Sequence, residues 1–410
     1  NYAPANPSPY ADTGWTFQLM RNVVVNTCTD KGCLEQRMTP LTTDAKAPGG
    51  IAGDGPVVVV DHTTDNNLMA FRFKLATTPM RAAEEDFEAG GRKFRAGAFI
   101  ISNADRARLE PVLQDLGLSG YGMAAAPTVK SHDLDVPRIG YAHSWQRTQD
   151  EGWVRAALDV YGVPYTYFAD QKFREGNLRA KYDVIIYPHV GGTAQSQVNG
   201  IARTGTSPLP YRKTAATPNL GGIDESDDIR GGMGLDGLTE LHKFVQEGGT
   251  LITEGSTATI FPEYNLSNGI TVENPTGLFA RGTILRGIIA DKKSPLAYGY
   301  DGNQVPVYFS QAPVLNVAGG AGGFGGFGAG AAIPGVGQNT TPMATRLRLS
   351  PYTEGGQLPV PPSAPPPAAG AGGAGGPGGG GGGGFGGPAP AGERPRVVLQ
   401  FPSNPDDMLL

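Results

Sequence analysis

Asp183-Val184-Ile185-Ile186-Tyr187-Pro188-His189-Val190-Gly191-Gly192 decides the fold. Four consecutive apolar residues between an Asp and a Pro are strand length, too short for a helix. The run is continuous rather than alternating, which predicts a strand covered on both faces, as in a parallel sheet. On its N-terminal side, Arg138-Ile139-Gly140-Tyr141-Ala142 reads as a first strand and Pro164-Tyr165-Thr166-Tyr167 as a second. Between them 150–161 reads as a helix with Trp153, Ala157, Leu158 and Tyr161 on one face. On the C-terminal side, 235–247 reads as a helix stopped by Gly248-Gly249, followed by a fourth strand over Thr250-Leu251-Ile252-Thr253-Glu254. The alternation predicts an open parallel sheet with helices on both faces and right-handed crossovers.

A smaller α/β unit is expected before it, over 56–135. Val57-Val58-Val59-Val60 reads as a buried strand, 67–76 as a helix or a strand, 78–89 as helical and Gly90-Gly91 as a turn. Ala98-Phe99-Ile100-Ile101 then reads as a strand, and Leu109, Val112, Leu113 and Leu116 recur at helical spacing. Residues 1–55 read as an extended lead-in from an upstream domain, and 136–410 as the larger domain. The latter carries two low-complexity insertions, at 318–340 and 361–393. The first opens with eight Gly in the fifteen residues from 318 to 332, and 361–392 holds fifteen Gly and eight Pro. Neither tract can bury enough apolar surface to offset its ordering entropy, so both are expected to be disordered loops. Strands over 344–350 and 396–401 are expected to rejoin the parallel sheet.

Of 410 residues, 62 are Gly and 35 are Pro, and only 39% are hydrophobic. Basic residues number 33 against 38 acidic, a net charge of -5, which leaves no electrostatic footprint for nucleic acid. No stretch reaches the ~20 apolar residues of a membrane span. The chain begins at Asn1 with no signal peptide and reads as a piece of something longer. Cys28 and Cys33 are the only cysteines; a disulfide closing their short polar loop is the preferred reading and implies an oxidising compartment, periplasmic or secreted. Two unrelated thiols are the alternative. Zinc needs four ligands, and neither a second Cys pair nor a close His is present.

Candidate chemistry is sparse. His62 with Asp65 and His132 with Asp135 share the His-x-x-Asp spacing of two zinc ligands, but both lie in polar stretches that read better as turns. Ser256, in Glu254-Gly255-Ser256-Thr257, stands at the exit of the fourth strand like a nucleophile. The Gly-x-Ser-x-Gly pattern is absent and no His follows, so Ser256 or Thr257 reads better as a helix N-cap. His189-Val190-Gly191-Gly192 could offer backbone N–H groups to an anion, or simply end its strand. Trp15, Trp145 and Trp153 read as packing residues.

The order of these segments resembles the non-catalytic C-terminal portion of secreted bacterial zinc metallocarboxypeptidase-like proteins, in which a peptidase domain precedes a class I glutamine amidotransferase-like domain. The matching pieces begin with Pro9-Tyr10-Ala11-Asp12-Thr13-Gly14-Trp15-Thr16 and Arg95-Ala96-Gly97-Ala98-Phe99-Ile100-Ile101. They continue through Pro137-Arg138-Ile139-Gly140, Asp150-Glu151-Gly152-Trp153 and Tyr182-Asp183-Val184-Ile185-Ile186 to Phe244-Val245-Gln246-Glu247-Gly248-Gly249-Thr250-Leu251. Gly282-Thr283-Ile284-Leu285-Arg286, Ser294-Pro295-Leu296-Ala297-Tyr298-Gly299 and Val307-Tyr308-Phe309-Ser310 complete the set. The resemblance implies a flavodoxin-like, amidotransferase-like sheet and an accessory role beside a peptidase domain of the same polypeptide, with peptide or protein substrate as the other partner. It implies zinc only in that upstream domain, through His-x-x-Glu, a later His, an Arg and a Glu that no position here matches. Where an active amidotransferase carries its Cys, this chain has Glu254-Gly255-Ser256, so no catalytic, cofactor or metal residue is carried over. The rival expectations are a free-standing ligand-binding or hydrolytic domain using Ser256 and His189, and a surface-assembly protein associating through its Gly-rich tracts.

Overall fold

A computed structural model describes residues 26–33, 35–147, 149–273, 282–310, 313–317, 395–404 and 407–408. Trp15, the tracts at 318–340 and 361–393 and the expected strand at 344–350 lie outside them. The described residues form a mixed α/β structure with several sheets, one of them parallel throughout.

The first unit runs β1 (Gly50–Ala52), β2 (Val57–Val60), α1 (Asn67–Lys74), β3 (Arg81–Ala83), β4 (Phe87–Ala89), β5 (Arg92–Phe94), β6 (Phe99–Ile101), α2 (Arg106–Leu116), β7 (Ser119–Met123) and β8 (Ser131–Asp133). Six of these strands form one sheet in the order β1-β7-β2-β6-β3-β8. Only β1 and β7 pair in parallel. The four valines of β2 are all buried because both faces are covered: Val58 and Val60 pack with Phe71, Leu109 and Leu113 of α1 and α2, and Val57 and Val59 with Phe94 and Ile100. A continuous apolar run thus marks two-sided burial here within antiparallel pairing.

Two expectations change in this unit. Residues 78–89, read as helical, supply β3 and β4 instead. Ala82, Ala83, Glu84 and Glu85 favour a helix intrinsically, but propensity is a weak prior, and β3 is held between β6 and β8 with Ala82 and Ala83 buried. Strand β1 lies inside the expected lead-in, so this unit's sheet begins before residue 56. The Gly90-Gly91 turn is confirmed: positive φ at both residues (58° and 71°) joins β4 to β5 as a two-residue hairpin requires.

The second unit runs β9 (Ile139–His143), α3 (Gln149–Val160), β10 (Thr166–Ala169), α4 (Leu178–Lys181), β11 (Val184–Tyr187), α5 (Ala194–Asn199), α6 (Gly234–Gln246), β12 (Thr250–Thr253) and α7 (Ile260–Glu263). Its four strands are parallel, in the order β10-β9-β11-β12. One face carries Ala142, Phe168, Ile185 and Tyr187 against Val198, Leu238, Leu241, Phe244 and Ile260 of α5, α6 and α7. Each large side chain there contributes about 1.5–3 kcal/mol by burial. The opposite face is aromatic and polar. Tyr141 packs against Tyr165 and Tyr167 beneath α3, and its hydroxyl donates to the Glu151 carbonyl at 2.7 Å.

Helix α3 is rotated from its expected orientation: of the expected face Trp153 and Ala157 are exposed and Leu158 and Tyr161 half-buried. Glu151 is the buried residue, beside Tyr167 and with Arg155 Nη1 3.8 Å from its carboxylate. Trp153, read as a packing residue, is 72% exposed. The Tyr167 hydroxyl on the sheet is engaged by the Glu151 side chain, a partner an indole ring would not replace.

After the parallel sheet come β13 (Ile270–Glu273), β14 (Thr283–Ile289), β15 (Gln304–Phe309), β16 (Val314–Val317) and β17 (Leu399–Gln400). β17 does not join the parallel sheet as expected; it pairs antiparallel with β14, forming the sheet β15-β14-β17. The 291–301 segment reaches back to the first unit: Arg95 binds Asp61 and, at 2.6 Å, Asp301. Cys28 and Cys33 form a disulfide with Cα atoms 6.5 Å apart. Among the described residues no helix is long and apolar enough to cross a membrane.

Candidate functional site

In open α/β sheets ligands bind outside the carboxyl ends of the strands, where the strand order reverses. Here that point lies between β9 and β11, since the chain leaves β10 on one side of β9 and re-enters on the other. The strand exits bring together His143, Ser144 and Trp145 after β9, Asp170 after β10, His189 to Gly191 after β11, and Glu254 to Ser256 after β12.

The first group is buried. His143 is 2% exposed, stacked on Tyr167 with ring centroids 4.4 Å apart and with Trp145 edge-on. Its Nε2 donates to Asp224 Oδ2 at 2.9 Å, which leaves Nδ1 as the second ring nitrogen, without a hydrogen-bond partner among the described residues. Asp224 comes from the long 200–233 connection. Its carboxylate also accepts from the Ala169 and Glu225 N–H groups, both at 2.8 Å, and from Lys172 Nζ at 3.1 Å. Burial pushes the Asp224 pKa up, but the bonds from His143 and Lys172 outweigh it and hold the pKa below the ordinary carboxylate value. Ser226 and Tyr211 fasten the same connection, through Gln171 Nε2 at 2.6 Å and the Trp145 ring.

Asp170 is also buried, and neither carboxyl oxygen has a conventional hydrogen-bond partner among the described residues. Burial raises its pKa to about 6 against the opposing pull of His143, the Gln171 backbone, Ser144 and Arg174. Burial, then the neighbouring Asp170, pushes the Tyr187 phenol well above its ordinary range.

The second group contains the sequence candidates. Ser256 Oγ accepts from Gly191 N at 2.7 Å and from Val190 N at 3.3 Å. Ser256 N donates to His189 Nδ1 at 3.0 Å. The imidazole nitrogen facing the serine is thus occupied by backbone, and Nε2 points towards Asp150 at 4.0 Å. Ser256 and His189 are brought together, but not as nucleophile and base. The N-cap expectation is corrected as well: Glu254 caps the short 3-10 turn Gly255–Thr259, and its N–H donates to Thr257 Oγ1 at 3.0 Å. Gly191 N–H serves Ser256 rather than an external anion.

The two His-x-x-Asp pairs are separate from this edge. Asp65 accepts from Asn67 N at 2.8 Å, at the start of α1, while His62 packs edge-on to Phe99. His132 lies on strand β8 rather than in a loop, 3.4 Å from Glu84. Among the described residues no three His, Cys, Asp or Glu side chains are grouped to hold a metal.

Sequence reasoning missed His143, Asp170 and Asp224. His143 was findable, as the polar residue ending a strand read to within one position, whereas the second strand, read over 164–167, runs over Thr166–Ala169, which is what puts Asp170 at its exit. Asp224 was not findable, since nothing local marks which residue of a long connection folds back. Comparison with family models, with curated proteins and with solved structures finds no match.

Proposed function

We propose that this chain is the non-catalytic accessory region of an exported zinc metallocarboxypeptidase-like protein, and that its parallel-sheet unit is an amidotransferase-like domain without a working nucleophile. The observation that carries the second part is the Ser256 tie. The hydroxyl where a nucleophile would stand accepts two backbone N–H groups, and the nearest imidazole is engaged by the serine's own backbone. A serine held in this way joins the ends of β11 and β12 and has no base. The Cys28–Cys33 disulfide supports export to a periplasmic or extracellular setting. The role is then support of the upstream peptidase domain or capture of its peptide or protein substrate.

The test is to assay the purified chain for glutamine hydrolysis and for peptidase activity, alongside Ser256→Ala. The expected result is no turnover above blank in either protein. Hydrolysis abolished by Ser256→Ala would replace this reading with that of a free-standing hydrolytic domain.

A further inference from the structure

The carboxyl edge of the parallel sheet gathers buried polar atoms that the fold leaves unanswered. Six of them, His143 Nδ1, Trp145 Nε1, both carboxyl oxygens of Asp170, Gln171 Oε1 and the Tyr187 hydroxyl, have no hydrogen-bond partner among the described residues. Topology places them together, since they stand at or just beyond the ends of β9, β10 and β11, which are neighbours in the sheet. The His143 and Trp145 rings are in contact with centroids 4.7 Å apart, and Asp170 interacts electrostatically with His143, Ser144 and Tyr187. Native folds pair such atoms, and a cluster of orphans at one place calls for a partner.

The chemistry of the set is one-sided. Nε2 of His143 donates to Asp224, so Nδ1 is an acceptor. With Gln171 Oε1 and the two Asp170 oxygens this makes four acceptors, against Trp145 Nε1 as an obligate donor and a Tyr187 hydroxyl that acts either way. The neighbouring cations are committed elsewhere: Lys172 to Asp224, and Arg174 to the carbonyls of Gly231, Gly232 and Met233. Water can answer a lone orphan, but a carboxylate buried without a paired cation calls for a positively charged donor. That donor must be small, because Asp170 and His143 are only 1% and 2% exposed.

We propose that this edge binds a small ammonium cation, either ammonium itself or a primary alkylammonium, with Asp170 as its counter-ion and His143 Nδ1 and Gln171 Oε1 as further acceptors. An ammonium group brings three or four N–H donors and one positive charge in a volume close to that of water, which matches both the acceptor excess and the enclosure. An alkali cation brings the charge but takes oxygen ligands, and leaves the imidazole nitrogen unanswered. The site goes beyond the accessory role and does not depend on it.

The experiment compares thermal unfolding of the full chain near pH 7.5 in about 0.1 M ammonium, methylammonium or potassium chloride. A ligand that binds only the folded state raises the midpoint, and a rise of about 2 °C or more over potassium is expected with ammonium. A matching rise with methylammonium assigns the site to primary amines, and its absence to free ammonium. The rise should vanish in Asp170→Asn, which keeps the shape and removes the charge, and persist in Trp153→Ala, whose side chain is exposed on α3. Because each variant is compared with itself across salts, a change in basal stability does not imitate the result. Calorimetric titration of the wild type is the second readout, with saturable heat expected from ammonium and none from potassium. Equal midpoints in the three salts, or a rise that survives Asp170→Asn, would overturn the proposal.

Discussion

His143 Nε2 and Asp224 Oδ2 lie 2.9 Å apart, a bond that fastens the exit of β9 to a residue 81 positions further along the chain. The pair, with Lys172 and the Ala169 N–H, is one of the ties that hold the 200–233 connection at the carboxyl edge of the sheet.

Removing Asp224 leaves a buried imidazole and an ammonium without their acceptor. Asp224→Ala is expected to cost about 3 kcal/mol in urea unfolding, the usual loss when one partner of a buried pair is deleted. Because the folded pKa of Asp224 is lowered, its contribution is full above the ordinary carboxylate pKa and is lost as pH falls through the lowered value. The difference between wild type and variant should therefore shrink in acid.

Asp170 has the opposite sign. With a folded pKa of about 6, the native state binds the proton more tightly than the unfolded chain, so wild-type stability falls as pH rises from about 4 to 6. Asp170→Asn should match wild type near pH 4 and exceed it at pH 8, by up to about 3 kcal/mol for a shift of some two units. Denaturation midpoints measured across pH 4–8 check this. Parallel curves would contradict it.

Ser256→Ala removes the acceptor of two backbone N–H groups at the β11 exit. A loss of about 1–3 kcal/mol is expected from leaving buried donors unpaired. If the serine were instead a free hydroxyl in a cleft, the change would be close to neutral in the same unfolding experiment.

Gly299 has φ +84°, and a Cβ there would lie 2.1 Å from His62 Nδ1. Gly299→Ala combines left-handed strain with a collision between two packed segments, and should cost more than about 2 kcal/mol. Gly90→Ala is the control. Its φ is +58° but a Cβ meets nothing within 4 Å, so only the strain of about 1 kcal/mol remains. Thermal unfolding of the two variants separates the contributions.

The parallel sheet was legible because each of its strands is a short apolar run bounded by turn residues. Ile185 and Tyr187 pack one way and Ile186 the other, so the run of β11 needed no context to be read. Residues 78–89 misled because alanine and glutamate favour a helix, while the pairing that makes β3 a strand comes from β6 and β8. Trp153 misled for a related reason: periodicity locates an apolar face but does not say which way it points. Glu151 faces inward beside Tyr167, distant in sequence, whose hydroxyl its side chain engages, while Tyr141 holds the helix through the Glu151 backbone carbonyl. Of the candidate site, Ser256 and His189 were visible as strand exits, whereas their mutual engagement depends on the 3.0 Å approach of Ser256 N to the ring.

The central claim is that this chain serves an upstream zinc peptidase domain. It is tested most directly by reading the coding sequence that precedes Asn1. The account predicts, in the same frame, an export signal followed by His-x-x-Glu and then a later His, an Arg and a Glu. A start codon immediately before Asn1, or an unrelated domain in that position, would contradict it.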